Sequence, residues 1–129
     1  MNRTRLLLLV EGTSFVAAAL VHFGVLAGGY EHQKAGTAET VIGGVLLAAL
    51  ALTLVRPSWT RAAGVAAQAF ALAGTLVGLF TIAVGIGPRT APDLAYHAAI
   101  LSLLAFGLVV TAGRRPHLGR RARALASSR

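Results

Sequence analysis

Four residues of this chain have the chemistry to build a site: His22, Glu39, Asp93 and His97. Each falls near the end of a long apolar run. Ionisable groups inside such runs are costly to bury and point to function by default. His22 and His97 belong to different runs, about 7 Å from the same edge at 1.5 Å per helical residue. Paired imidazoles at one depth could ligate a haem iron axially. With Glu39 and Asp93 they could instead hold zinc, iron or copper, because imidazole plus carboxylate suits those metals. A carboxylate four residues before His97 could also orient its ring. Proton handling and a pocket for a quinone headgroup are further uses. A purely structural role competes with all of these. Glu39 and Asp93 open their runs, where acids favour the helix dipole. His22 could bond a backbone carbonyl or Tyr96. No spacing matches a metal motif such as H-E-x-x-H, so the cofactor stays unknown among haem, a transition metal and a quinone.

Glu11 and Gln68 form a second candidate. Glu11 sits about 9 Å inside the first run, and Gln68 is at a comparable depth in the third. A hydrogen bond between them is the plain expectation; such bonds in membranes average about 0.6 kcal/mol. The alternative is a protonatable carboxyl coupled to the transport of small cations. Glu11, Ser14, Ala18 and His22 share a helical face, which should point into the protein.

Elements able to position these residues follow from composition. Of 129 residues, 56% are hydrophobic and only 12% charged, against about 25% charged in an ordinary soluble domain. Mean hydropathy is +0.72. A soluble domain of this size could not hide so much apolar surface, and with no cysteine a disulfide scaffold is excluded. Soluble-type nucleophile catalysis has no Ser–His–Asp or cysteine framework to work with. Runs of about 20 apolar residues cross a membrane as helices. Four such runs occur, at 6–27, 38–55, 62–86 and 93–112, and nothing in them alternates with a strand's period of two. Gly28–Gly29, Arg56–Pro57 and Gly87–Pro88 bound the first three; Thr90, Pro92 and Asp93 form a helix-start pattern for the fourth. Trp59 lies where an interfacial aromatic belongs.

The formal charge of +8 has a directional cause. Arg3, Arg5, Arg56, Arg61 and the six arginines after residue 113 all fall on one side of such a topology, against Lys34 and Arg89 on the other. The positive-inside rule then places both termini in the cytoplasm. A cleaved signal peptide is the rival reading of the first run; Glu11 inside it argues against cleavage. The sequence predicts an all-α polytopic four-helix bundle over 1–112 with up-down connections, in a bacterial inner membrane. A basic cytoplasmic tail over 113–129 would follow, serving orientation and attracting anionic lipid. No aromatics interleave with its arginines, so nucleic acid is not an expected partner. Small residues at Ala67, Ala71, Gly74 and Gly78, and at Gly43, Gly44 and Ala48, are expected to be packing faces, with a homodimer as one use.

In size and four-helix layout the chain resembles the DoxX-like small bacterial membrane proteins. That resemblance spans the whole chain and implies a link to redox and quinone metabolism. Val10, Glu11, Gly12 and Thr13 are reminiscent of the first span of the small multidrug resistance transporters. That likeness implies an essential role for Glu11 in proton-coupled export. The histidines and the one-sided charge have no counterpart in that family. Three functions therefore stand as expectations. The first is a ligand-binding or redox-accessory protein with a His/carboxylate site near the outer face. The second is a cation transporter using Glu11. The third is a structural subunit without a ligand.

Overall fold

The structure is a computed structural model and describes residues 1–113. The predicted tail and its lipid contacts lie outside the described residues. Among the described residues are four long helices: α1 (Arg3–His22), α2 (Gln33–Val55), α3 (Thr60–Ala83) and α4 (Ala91–Ala112). A single 3-10 turn, Pro57–Trp59, links α2 to α3. All four helices are long and apolar enough to cross a membrane, which marks the chain as a membrane protein. Their outward surface agrees: Phe80, Val109 and Val55 are 66%, 71% and 76% exposed, a cost that lipid, unlike water, does not impose.

Successive helices run antiparallel, as bonds between opposite helix ends show. Arg5, at the start of α1, donates from Nε to Thr53 Oγ1 near the end of α2 at 3.3 Å, and from its guanidinium to the Thr53 carbonyl. Arg61, at the start of α3, donates to the Ala112 carbonyl at the end of α4, at 2.9 Å. Both arginines therefore satisfy carbonyls that a helix end leaves without partners.

The helix limits differ from the sequence boundaries for local reasons. α1 stops at His22 because Gly24 takes φ +73, a left-handed conformation that glycine adopts without steric cost. Val25 N–H then reaches back to the Leu20 carbonyl at 2.8 Å and Gly24 N–H to Val21 at 2.9 Å, a Schellman closure. α3 ends the same way: Gly85 has φ +83, with Ile86 bonded to Thr81 at 2.9 Å and Gly85 to Ile82 at 3.1 Å. The Gly28–Gly29 and Gly87–Pro88 signals expected to end these helices lie beyond the true stops. α2 starts at Gln33, before the expected residue 38, because His32 Nδ1 caps it by accepting from Ala35 N–H at 3.2 Å. α4 starts as its pattern predicts. Thr90 Oγ1 accepts from Asp93 N–H, and an Asp93 oxygen accepts from Thr90 N–H at 3.1 Å, a reciprocal capping box.

The core contains Leu8, Phe15, Ile42, Leu46, Ala67, Ala71, Ile100 and Leu104. Small residues let the helices close around it. A side chain at Gly43 would press on the Gly12 carbonyl at 3.2 Å, and one at Gly74 on Ile42 Cδ1 at 2.7 Å. Gly44 differs from the expectation of a packing position: a Cβ there would meet nothing within 4 Å.

Candidate functional site

His22, the last residue of α1, brings three helices together. Its Nδ1 lies 2.7 Å from Glu39 Oε2 on α2, and its Nε2 lies 3.1 Å from Asp93 Oδ1 on α4. All three residues are buried. A neutral imidazole has one N–H, and a carboxylate only accepts. The ring is therefore an imidazolium between two carboxylates, or a neutral ring with one of the two acids protonated. Either way the triad carries one net negative charge. Asp93 is held further by the Thr90 hydroxyl and backbone N–H. Its two oxygens thus divide their work, Oδ1 to His22 and Oδ2 to the cap.

His97 joins this group through a different atom of Asp93. Its Nδ1 lies 2.8 Å from the Asp93 carbonyl. A carbonyl oxygen only accepts, so Nδ1 carries a proton, and in a neutral ring Nε2 is then the acceptor nitrogen. Gly78 of α3 faces the ring; a Cβ there would sit 3.3 Å from Nε2. His97 borders a cavity of about 190 Å³ whose wall also includes Phe15, Glu39, Ile42, Thr75 and Gly78. Glu39 belongs to both features: one oxygen binds His22, and the side chain lines the cavity. His32 also lines it and ties two loops across this end, with Nε2 donating to the Ile86 carbonyl at 3.3 Å.

Tyr96 packs edge-on against Phe15 and His97, with ring centroids 6.3 and 5.8 Å apart. Its hydroxyl is buried without a hydrogen-bond partner among the described residues; it does not bond His22. In the loop after α1, both Glu31 oxygens accept from Gly29 N–H at 3.1 and 2.9 Å. Bonds from its own backbone N–H and from Gly29 hold this carboxyl below the ordinary carboxylate range.

The expected Glu11–Gln68 contact is present. Gln68 Nε2 lies 3.0 Å from each Glu11 oxygen, and both side chains are fully buried. Gly107 of α4 presses against the pair, and any side chain there would collide with Glu11 Oε1 and Gln68 Nε2. Gln68 Oε1 has no hydrogen-bond partner among the described residues. Eleven residues of α1 separate Glu11 from His22, about 16 Å along the axis, and apolar side chains including Leu46 and Leu104 pack the core between the helices. The two polar centres are therefore separate.

The sequence-predicted residues thus meet in two groups, with His22 and His97 converging on Asp93 rather than on each other. Among the described residues, no three His, Cys, Asp or Glu side chains are arranged to hold a metal ion. The sequence reading missed His32 as cap and cavity wall. Histidine is not among the residue types that announce an N-cap, so only its place before an apolar run gave a signal. It also missed Gly107, whose role depends on a helix packed across the polar pair. No protein family, curated protein or solved structure matches the chain. Its resemblances therefore remain architectural.

Proposed function

We propose that this chain is a small integral membrane protein that binds a hydroxylated ring, of the quinol or phenol class, in the cavity beside His97. The observation that carries this reading is His97 at the cavity wall, with Nδ1 bonded to a backbone carbonyl so that Nε2 is the acceptor of a neutral ring. That nitrogen accepts a ring hydroxyl's proton in a hydrogen bond, and Glu39 offers a second acceptor. Size fits: a dry cavity of about 150 Å³ takes up benzene, and this one is about 190 Å³. Apolar walls from Phe15 and Ile42 would pack the ring faces.

Haem ligation by His22 and His97, or a metal held by His22, Glu39, Asp93 and His97, would require His22 to leave a carboxylate. A quinol requires no such change, and for that reason it is the preferred member of the three ligand classes. In this reading the His22 triad is the clasp that sets Glu39 and α4 around the cavity. We place the cavity in the outer half of a bacterial inner membrane, with both termini cytoplasmic. Support comes from Arg3, Arg5, Arg56 and Arg61 at one end against Lys34 and Arg89 at the other.

Binding of 2-methylhydroquinone to the protein in lipid nanodiscs, under reducing conditions, tests the proposal. Wild type should bind saturably at one site. His97→Phe should weaken binding roughly tenfold, the value of one good hydrogen bond. Equal binding by the two proteins contradicts the reading.

One observation favours a second reading, proton-coupled cation transport. Among the described residues, Glu11 is fully buried with only a neutral amide as partner, and Gln68 Oε1 stands unpaired beside it. Rotation of the amide would let a protonated Glu11 donate to that oxygen. Proteoliposomes should then export a quaternary ammonium ion in wild type and not in Glu11→Gln. Equal export by both rejects this reading.

A further inference from the structure

We infer that the ring ligand carries a hydrocarbon chain, and that the chain lies in the groove between α2 and α3. The inference rests on the ring-cavity reading above and names its substrate class more narrowly: a lipid-borne quinol rather than a water-soluble phenol.

The cavity is not closed. Lys34, Ala38, Ile42, Gly74 and Val77 wall it and also wall a groove of about 590 Å³ on the outside of the bundle. The same residues bound both spaces, so cavity and groove adjoin. The groove's remaining walls include Val41 and Phe70, which with Val77 are 53%, 46% and 63% exposed. They face the surface that the membrane reading gives to lipid. Along α2 the groove extends from Gln33 to Ile42, about 14 Å at helical rise.

Polarity is graded along this site. His97 and Glu39 stand at the cavity, Gln33, Lys34 and Thr37 at the helix start, and Val41, Ile42, Phe70 and Val77 along the groove. A molecule with a hydroxylated ring at one end and an aliphatic chain at the other matches that order. A phospholipid does not, because its phosphate would stay beside Lys34 at the helix start and leave His97 and Glu39 in the cavity without a partner. The cavity alone is too small for a chain-bearing molecule, while the groove alone offers no acceptor like His97. The junction between them is a sideways path from the bilayer, so such a ligand need not cross water.

The test compares 2-methylhydroquinone with 2-decylhydroquinone, on wild type and Val41→Trp in nanodiscs. Concentrations are referred to the lipid phase, which removes simple partitioning from the comparison. Val41 is exposed and outside the ring cavity, so the larger side chain obstructs the groove alone. The decyl compound should bind Val41→Trp roughly tenfold more weakly than wild type, the scale of a lost fit in an apolar pocket. The methyl compound should bind both proteins equally. If Val41→Trp changes neither ligand, or changes both alike, the groove does not hold the chain and the inference fails while the ring cavity stands. If wild type binds neither compound, the ring-cavity reading fails and takes the inference with it. Fluorescence supplies a second measurement. With Trp59→Phe as background, a bromine on the decyl chain should quench the indole introduced by Phe70→Trp, saturably and reversibly by unbrominated ligand. Quenching that only tracks bulk probe in the bilayer would mean that ordinary lipid fills the groove, and would overturn the inference.

Discussion

His22→Phe keeps a ring at the end of α1 and removes both nitrogens, so its effect isolates the bridge from side-chain volume. The structure gives the scale. The variant loses the 2.7 Å contact to Glu39 and the 3.1 Å contact to Asp93. Hydrogen bonds to charged groups contribute about 1.5–3 kcal/mol each, and removing one member of a buried ion pair costs about 3–5 kcal/mol because the survivor is left buried. Neutral polar contacts between membrane helices average only about 0.6 kcal/mol. The stranded charge, not the lost bond, should therefore dominate, and we expect a loss of about 3 kcal/mol. Reversible unfolding in mixed detergent–SDS micelles, followed by circular dichroism, measures it. The two carboxylates are not equivalent. Asp93 keeps the Thr90 cap when His22 is removed, while Glu39 has no other hydrogen-bond partner among the described residues. In the His22→Phe background, Glu39→Gln should accordingly restore more stability than Asp93→Asn. A loss below about 1 kcal/mol, the level of an ordinary membrane hydrogen bond, would refute this reasoning. So would equal rescue by the two substitutions.

Gly107→Ala should disrupt the Glu11–Gln68 pair by direct collision; overpacking of this kind costs about 1–3 kcal/mol, read in the same unfolding assay. Gly85→Ala meets only ordinary contacts, the nearest at 3.6 Å, so its loss of about 1–2 kcal/mol should come from the left-handed backbone alone. Thr90→Val removes the α4 cap and should cost about 0.5–2 kcal/mol; Thr90→Ser, which keeps the hydroxyl, should cost much less. The Gly29 amide resonance should titrate with Glu31, at a midpoint below the ordinary carboxylate range, because that carboxyl is held down by the backbone bonds. A group depressed in the folded state contributes at pH values above its unfolded pKa. The loop contact should therefore persist near neutrality and be lost as pH falls through the depressed value. In Glu31→Gln the resonance should not move over that range.

Much of the fold can be read from the sequence because lipid imposes a simple rule: a span must be long, apolar and helical. The four runs meet that rule without ambiguity. Their ends are less legible. Gly24 and Gly85 close α1 and α3, yet nothing in composition distinguishes them from Gly28, Gly29 and Gly87; only the backbone conformation does. The polar groups were legible as a consequence of topology. Antiparallel helices of similar length bring His22, Glu39 and Asp93 to one end, and Glu11 and Gln68 to one depth. Their partners were not legible. That His22 uses both nitrogens on carboxylates, leaving none for a metal, depends on the rotation of α2 and α4 about their axes. That His97 borders a cavity, with Gly78 across from its Nε2, depends on the packing of α3 against α4. Helix rotation is set by packing among Leu46, Ile100, Leu104 and their neighbours, and weak amphipathicity in a lipid-facing bundle leaves little trace of it in sequence.

Nitrogen-15 spectra of the protein labelled at histidine test the central claim most directly, because they distinguish protonated from bare ring nitrogens. His97 should show one protonated nitrogen, Nδ1, and one bare nitrogen, Nε2, while His22 shows hydrogen bonds at both. On addition of 2-methylhydroquinone the Nε2 signal of His97 should shift saturably toward that of a hydrogen-bonded acceptor, with His22 unchanged. A His97 ring that is already bonded at Nε2, or whose Nε2 signal stays still as the quinol is added, would contradict the account.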